Sequence, residues 1–172
     1  MTEKKRHILE TGLKQFALNG YKATSTRMIA EGANVSEGLI FRHFGSKLGL
    51  LKAIMDEGVR DASTMYQRIL AIKNPKYALK SILKLPFRIT EEQSYFWRLY
   101  YSLKWQLEYE EKLLEPVKQS LLRIFTELEY DDPEAEAEII LMLMNGSASL
   151  VLQRKPANLE EISEALMKKY EL

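Results

Sequence analysis

TSTRMIAEGANVSEGLIFRHFGSK, residues 24–47, reads as two short helices joined by a tight turn. The first is expected over Thr26–Ala33, with Ile29 and Ala30 turned inward at helical spacing. Asn34, Val35 and Ser36 make the turn, and asparagine tolerates the left-handed backbone that a sharp helix–helix turn demands. The second helix begins at Ser36, whose hydroxyl is suited to accept orphan N–H groups of the first turn. It carries Leu39, Ile40, Phe41, Arg42, His43 and Phe44 and stops at Gly45. Ile29, Ala30, Ala33, Val35, Ile40 and Phe44 form the inward set, and Ala30 is small enough to let the helices cross closely. This is the layout of a helix-turn-helix, whose second helix enters the major groove of DNA. An ordinary helical hairpin shares the spacing, so the surrounding residues have to decide.

With 172 residues, 46% hydrophobic and 28% charged, the chain has the balance of an ordinary globular protein of one domain or two small ones. It has no cysteine, which excludes disulfides, thiolate zinc sites and cysteine nucleophiles. Its two histidines, His7 and His43, lie on different expected helices, so no metal site is expected. There is no glycine-rich phosphate loop and no nucleophile with a base beside it, so neither a catalytic residue nor a cofactor is expected. The apolar run Ile139–Met144 is short and ends at Asn145–Gly146, and MTEKKRHILE lacks an apolar signal core. The reading is a cytoplasmic protein with no membrane partner. The net charge of +1 is unevenly spread: residues 1–49 hold eight Lys and Arg against four Glu, or +4, leaving −3 for the rest. The basic charge therefore sits with the groove-reading candidate, as phosphate binding requires.

Working outward, Leu9, Leu13, Phe16 and Ala17 make Lys4–Asn19 an amphipathic helix ended by Gly20, and its basic start would lie near a DNA backbone. Ser46 caps a connector expected to run to Ile72, about seven turns, with Ile54, Met55, Gly58, Ala62, Met65, Tyr66 and Ile69 inward. Asn74–Pro75 starts a short helix stopped by Pro86. Thr90–Gln93 is a capping box opening an aromatic-rich helix through about Glu110. Pro116 breaks or restarts the pattern that ends at Leu128. Asp132–Pro133 opens a helix to about Gln153, and Asn158 with Glu161 opens the last, Leu159–Tyr170. No strand or repeat is evident, so the fold is expected to be all-α. Residues 1–49 would form a three-helix helix-turn-helix domain, joined by the long helix to a helical domain over 50–172.

This order resembles the TetR (tetracycline-repressor-like) family of transcriptional regulators, most sharply from Ile8 to Met55 in FALNGYKATSTRMIAEGANVSEGLIFRHFGSKLGLLKAI. The resemblance implies binding to double-stranded DNA at a palindromic operator. It assigns backbone contacts to Thr26 and Arg27, the recognition helix to Ser36, Glu37, Gly38, Leu39, Phe41, Arg42 and His43, and phosphate contacts to Lys47. Lys5 belongs to the same basic face. Gly38 allows close approach to the duplex, while Arg42 and Lys47 suit phosphate. His43 fits phosphate donation and packing against the first helix equally well. Three positions depart from the family: Asn34 replaces glycine, Leu39 a hydroxyl residue and Phe41 a tyrosine. Leucine trades a hydrogen bond for apolar contact, such as with a thymine methyl, and phenylalanine loses a phosphate hydrogen bond.

The family resemblance further implies a small, largely apolar inducer held in the C-terminal bundle, and a homodimer. Trp97, Tyr101 and Trp105 recur on one helical face beside Tyr100, and they fit core packing and a ligand pocket equally well, with Met142 as adaptable lining. The helix 133–153 is apolar on nearly all sides. Ile140, Gly146 and Leu150 on it, with Leu166 on the last helix, are the expected dimer interface. A ligand favouring wrongly spaced recognition helices would then release a repressor from its operator. A helical bundle carrier or enzyme with a purely structural N-terminal hairpin is the alternative, and a DNA binder without an inducer is a third.

Overall fold

Thr2 accepts the Lys5 amide at 3.4 Å and starts helix α1, Glu3–Asn19. This opens a computed structural model that describes residues 2–103 and 110–172, the side chains of 110–112 excepted. Gly20, at φ 82°, ends α1. Ser25 accepts the Met28 amide at 3.1 Å and starts α2, Thr26–Gly32. Asn34 takes φ 52°, the left-handed turn expected of it. Helix α3 then runs Glu37–Phe44 and closes on Gly45 at φ 74°. Ser36 stands at the capping position but its side chain caps nothing, contrary to the sequence reading. Helix α4, Lys47–Leu70, is opened by Ser46, whose Oγ accepts the Gly49 amide at 2.9 Å.

The later helices are α5, Pro75–Lys84, a 3₁₀ turn at Leu85–Arg88, then α6, Glu91–Leu103. After them come α7, Glu110–Glu127, α8, Pro133–Arg154, and α9, Leu159–Lys169. No strand occurs among the described residues, so the fold is all-α. Asn74 and Asp132 cap α5 and α8 through their side chains, as their positions before proline suggested. Pro86 does not simply stop α5, because the chain tightens into the 3₁₀ turn around it. Nor does Pro116 break α7. It costs one backbone hydrogen bond on an exposed face, while Leu113, Val117, Leu121 and Ile124 hold the opposite face in the core. Asn158 precedes α9 without a side-chain cap bond, so that expected box is not formed.

Packing divides the chain into two units, residues 1–61 with 91–106, and 62–90 with 107–172. In the first, Ile8, Phe16, Ile29, Ile40, Leu50 and Met55 are almost wholly buried. Truncating one such aliphatic side chain to alanine typically costs about 2–5 kcal/mol. Val35 and Phe44, assigned inward, are half-buried. Helix α6 packs on α1, and its Phe96 ring lies against Gly58 of α4, where an added Cβ would come within 2.1 Å. In the second unit, α7 pairs with α8, α5 packs on α7, and the 3₁₀ turn lies on α8. Its core holds Leu79, Ile82, Leu83, Leu121, Phe125 and Ile140.

Helix α8 has 22 residues and an 18-residue window of mean hydropathy 1.4, so by length and composition it matches a membrane-crossing helix. The short run Ile139–Met144 alone did not reveal that. Core helices pass the same test, and α8 buries Ala137, Ile140, Leu141, Met144, Ala148 and Leu152 within its unit.

Candidate nucleic-acid interface

Helix α3 is seated by Ile40, which has no exposed surface, and by the half-buried Phe44 one turn on. Its opposite face therefore stands in solvent, and Gly38 and Arg42 run down the middle of it, four residues apart. An added Cβ at Gly38 would meet nothing within 4 Å, so this face is open for close approach. Phe41, 46% exposed, and Leu39, half-buried, flank that line on its two sides. His43 is half-buried, its ring centre 6.0 Å from that of Phe44.

The neighbouring polar residues are tied to protein partners. Thr26 donates its hydroxyl proton to Glu37 Oε1 at 2.5 Å, which links α2 to α3 and leaves no hydroxyl proton for phosphate. Arg27 lies 3.1 Å from Glu31 one turn along α2, both well exposed, a pair that water screens heavily. Lys47 donates to the Lys22 carbonyl at 3.4 Å and sits 4.3 Å from the Tyr21 ring centre. Its ammonium is thus positioned rather than free to sweep. Lys5, at 5.6 Å from the Phe44 ring, joins the start of α1 to the end of α3. Ser36 is exposed at the amino end of α3. The residues assigned from sequence thus assemble around α3, with Thr26 and Glu37 engaged in the scaffold itself.

Several supports of this geometry went unread in the sequence. A Cβ on Gly49 would lie 2.0 Å from the Phe44 carbonyl oxygen, so only glycine lets α4 begin this close behind α3. Thr24 is buried, its hydroxyl 2.9 Å from the Gly20 carbonyl and 3.2 Å from that of Gln15, pinning the α1–α2 loop. Gln15 donates to the Met28 carbonyl at 3.1 Å across the α1–α2 contact. The signal for Gly49 was its place three residues after a capping serine. Nothing in the sequence marked Gln15.

On α6, the rings of Phe96, Trp97, Tyr100 and Tyr101 contact one another at centroid distances of 5.1–6.3 Å. This cluster belongs to the first unit. Trp105, assigned to the same stripe, lies outside the described residues. Met142, expected as pocket lining, is turned to solvent. It is 65% exposed because it lies on the outer face of α8. Ile140 points the other way, into its own unit's core with no exposed surface, and so cannot meet a partner chain. The outer face of α8 instead carries Ile139, Met142, Leu143, Gly146 and Leu150, and α9 adds the exposed Ile162 with Leu166 half-buried. The second unit also has an open cleft of about 700 Å³ between α5 and α9, edged by Lys80, Lys84 and Arg88 facing Glu160 and Glu164. It is charged where the expected ligand pocket was apolar.

Residues 8–54 match the family described as bacterial regulatory proteins, tetR family. The chain is 44% identical over 52 residues to the uncharacterized HTH-type transcriptional regulator YvkB of Bacillus subtilis, covering 30% of this chain and 28% of that one. It is 31% identical over 90 residues to the HTH-type transcriptional regulator BetI of Burkholderia ambifaria, covering 51% and 46%. The chain thus spans about half or less of the length of these curated relatives. A transcriptional regulator (TerR/AcrR family) from Aquifex aeolicus superposes over 98% of both chains, with TM-score 0.70 and 25% identity.

Proposed function

We propose that this chain, which belongs to the tetR family of bacterial regulatory proteins, is a cytoplasmic, dimeric DNA-binding repressor released from its operator by a small, largely apolar ligand. The observation that carries the reading is the outward face of α3. It is open at Gly38 and bears Arg42, with Lys47 and Lys5 held close to its far end. Such a face fits a major groove, with lysines placed for phosphate. In this reading residues 1–49 bind DNA, and residues 50–172 bind the ligand and form the dimer. The exposed apolar residues of α8 and α9 support the second role. The ring cluster of α6 is the proposed ligand lining. Because α6 packs on α1 and against Gly58 of α4, a ligand that displaces its rings would also disturb the elements that carry α3.

Titration of salt against binding to random duplex tests the core of the proposal. Affinity should fall steeply and linearly in log–log form, as counterions are released. Absence of binding at low salt would overturn the DNA reading. A ligand that binds tightly and leaves operator affinity unchanged would overturn the switch.

A further inference from the structure

We propose that the cleft between α5 and α9 is a second small-molecule site, apart from the ring cluster of α6. Its ligand is an amphiphile with an anionic group at one end and an ammonium at the other. The cleft is open, has a volume of about 700 Å³, and lies wholly within the second unit. That volume is in the range of small-molecule sites. Its two edges carry opposite charge. Lys80 and Lys84, one turn apart on α5, stand on one side with Arg88 of the 3₁₀ turn. Glu160 and Glu164, one turn apart on α9, stand on the other. The two rows do not neutralise each other, because among the described residues none of these side chains forms an ion pair. Elsewhere the same unit does pair its charges, Lys118 with Glu138 and Arg123 with Glu127. Lys80 and Lys84 are half-buried, so each has given up part of its hydration without gaining a counter-charge.

These walls select the ligand's chemistry. A carboxylate or phosphate meets the lysines and Arg88, while an ammonium meets Glu160 and Glu164. Phe87 and the buried Met167 line the same cleft and offer apolar surface to the body between the two charges. A plain anion would be repelled by the glutamates, and a plain cation by the opposite row. Lys168, one turn beyond Glu164, also lines the cleft, which confines the ammonium to the Glu160 end of α9. The proposed pairing of two chains leaves the cleft open. Ile162 and Leu166 serve that pairing, and helical spacing puts Ile162 on roughly the opposite side of α9 from Glu160 and Glu164.

Calorimetric titration of the full chain at neutral pH and low salt tests this with three probes of matched length. Aminooctanoate carries both charges, octanoate the anion alone and octylammonium the cation alone. Aminooctanoate should bind saturably, and about ten-fold or more tighter than either of the others. The double substitution Lys80→Gln with Lys84→Gln should weaken aminooctanoate by about ten-fold or more. Glu160→Gln with Glu164→Gln should instead abolish its advantage over octanoate. Both glutamates are exposed, so that variant keeps the fold even if loss of the lysines does not. Absence of aminooctanoate binding overturns the inference. Octanoate or octylammonium binding equally well through the same lysines also overturns it. Aminooctanoate binding that survives both pairs of substitutions lies elsewhere on the chain and overturns it too. The DNA reading is tested by salt titration and is untouched by any of these outcomes.

Discussion

Gly49 and Lys47 both lie just behind the end of α3, and substitution separates their roles. A methyl group at position 49 meets a backbone oxygen at 2.0 Å, which cannot step aside without moving the end of α3. Gly49→Ala should therefore destabilise the chain by about 2–3 kcal/mol, measured as a lowered midpoint of thermal unfolding, and weaken DNA binding in parallel. Lys47→Ala removes a charge but little buried surface. It should reduce binding to all sequences alike and lower the salt slope by about one, with the unfolding midpoint nearly unchanged. Phe41→Tyr supplies the phenol that the family resemblance implies at this position. It should strengthen binding to every duplex by about two- to ten-fold, the worth of one hydrogen bond, visible as a uniform shift across unrelated sequences.

At the scale of the helix, Gly58 is the place where α6 meets α4. A Cβ there would fall 2.1–2.9 Å from ring atoms of Phe96, which is itself confined by Trp97 and Tyr100. Gly58→Ala should loosen α6 and raise its amide exchange, and adding Phe96→Leu should recover much of the loss, a coupling that a double-mutant cycle would read. The end of the chain offers a second handle. Phe125 packs against Tyr130 at 4.9 Å and Tyr170 at 6.4 Å between ring centres. Burial, then Glu136, raises the pKa of both phenols above the ordinary 10.0, with Glu171 adding to Tyr130 and Tyr130 to Tyr170. The unfolded chain loses these protons first, so this part of the stability is present below pH 10 and disappears as pH climbs through the raised values. Unfolding midpoints followed from about pH 8 to pH 11 should fall, and fall less in Tyr130→Phe.

Some of this structure is legible in the amino-acid sequence alone. Local signals carried far: Asn34 in the turn, Gly20 and Gly45 ending helices, and Asn74 and Asp132 before prolines all act where the sequence puts them. Each depends on the residue's own backbone preference or on a side-chain cap within its own turn, which is written in its identity. Facing was harder to read on α8. That helix is apolar all round, so periodicity could not tell Ile140, which is in the core, from Ile139 and Met142, which face outward. Contacts such as Thr26 with Glu37 or Gly58 with Phe96 depend on how helices cross, and no local preference encodes that.

For the whole molecule, the proposed function sets one constraint, the spacing of two recognition helices. A palindromic operator presents half-sites about 34–36 Å apart, and only a twofold pair of chains can fill both at once. The surface that fits this role is the outer face of α8, where Ile139, Met142, Leu143, Gly146 and Leu150 align opposite the buried residues of the same helix. An exposed apolar stripe of that length is costly in water unless another surface covers it. Leu150→Asp places a charge in its middle at a site already 38% exposed, so the single chain should keep its helix content. Sedimentation should then show a monomer. Affinity for a palindrome should drop by about 100-fold or more, because the second half-site no longer binds as part of the same complex. Affinity for an isolated half-site should stay as it was. A Leu150→Asp protein that remains dimeric, or that binds the palindrome undiminished as a monomer, would place the pairing surface elsewhere on the chain.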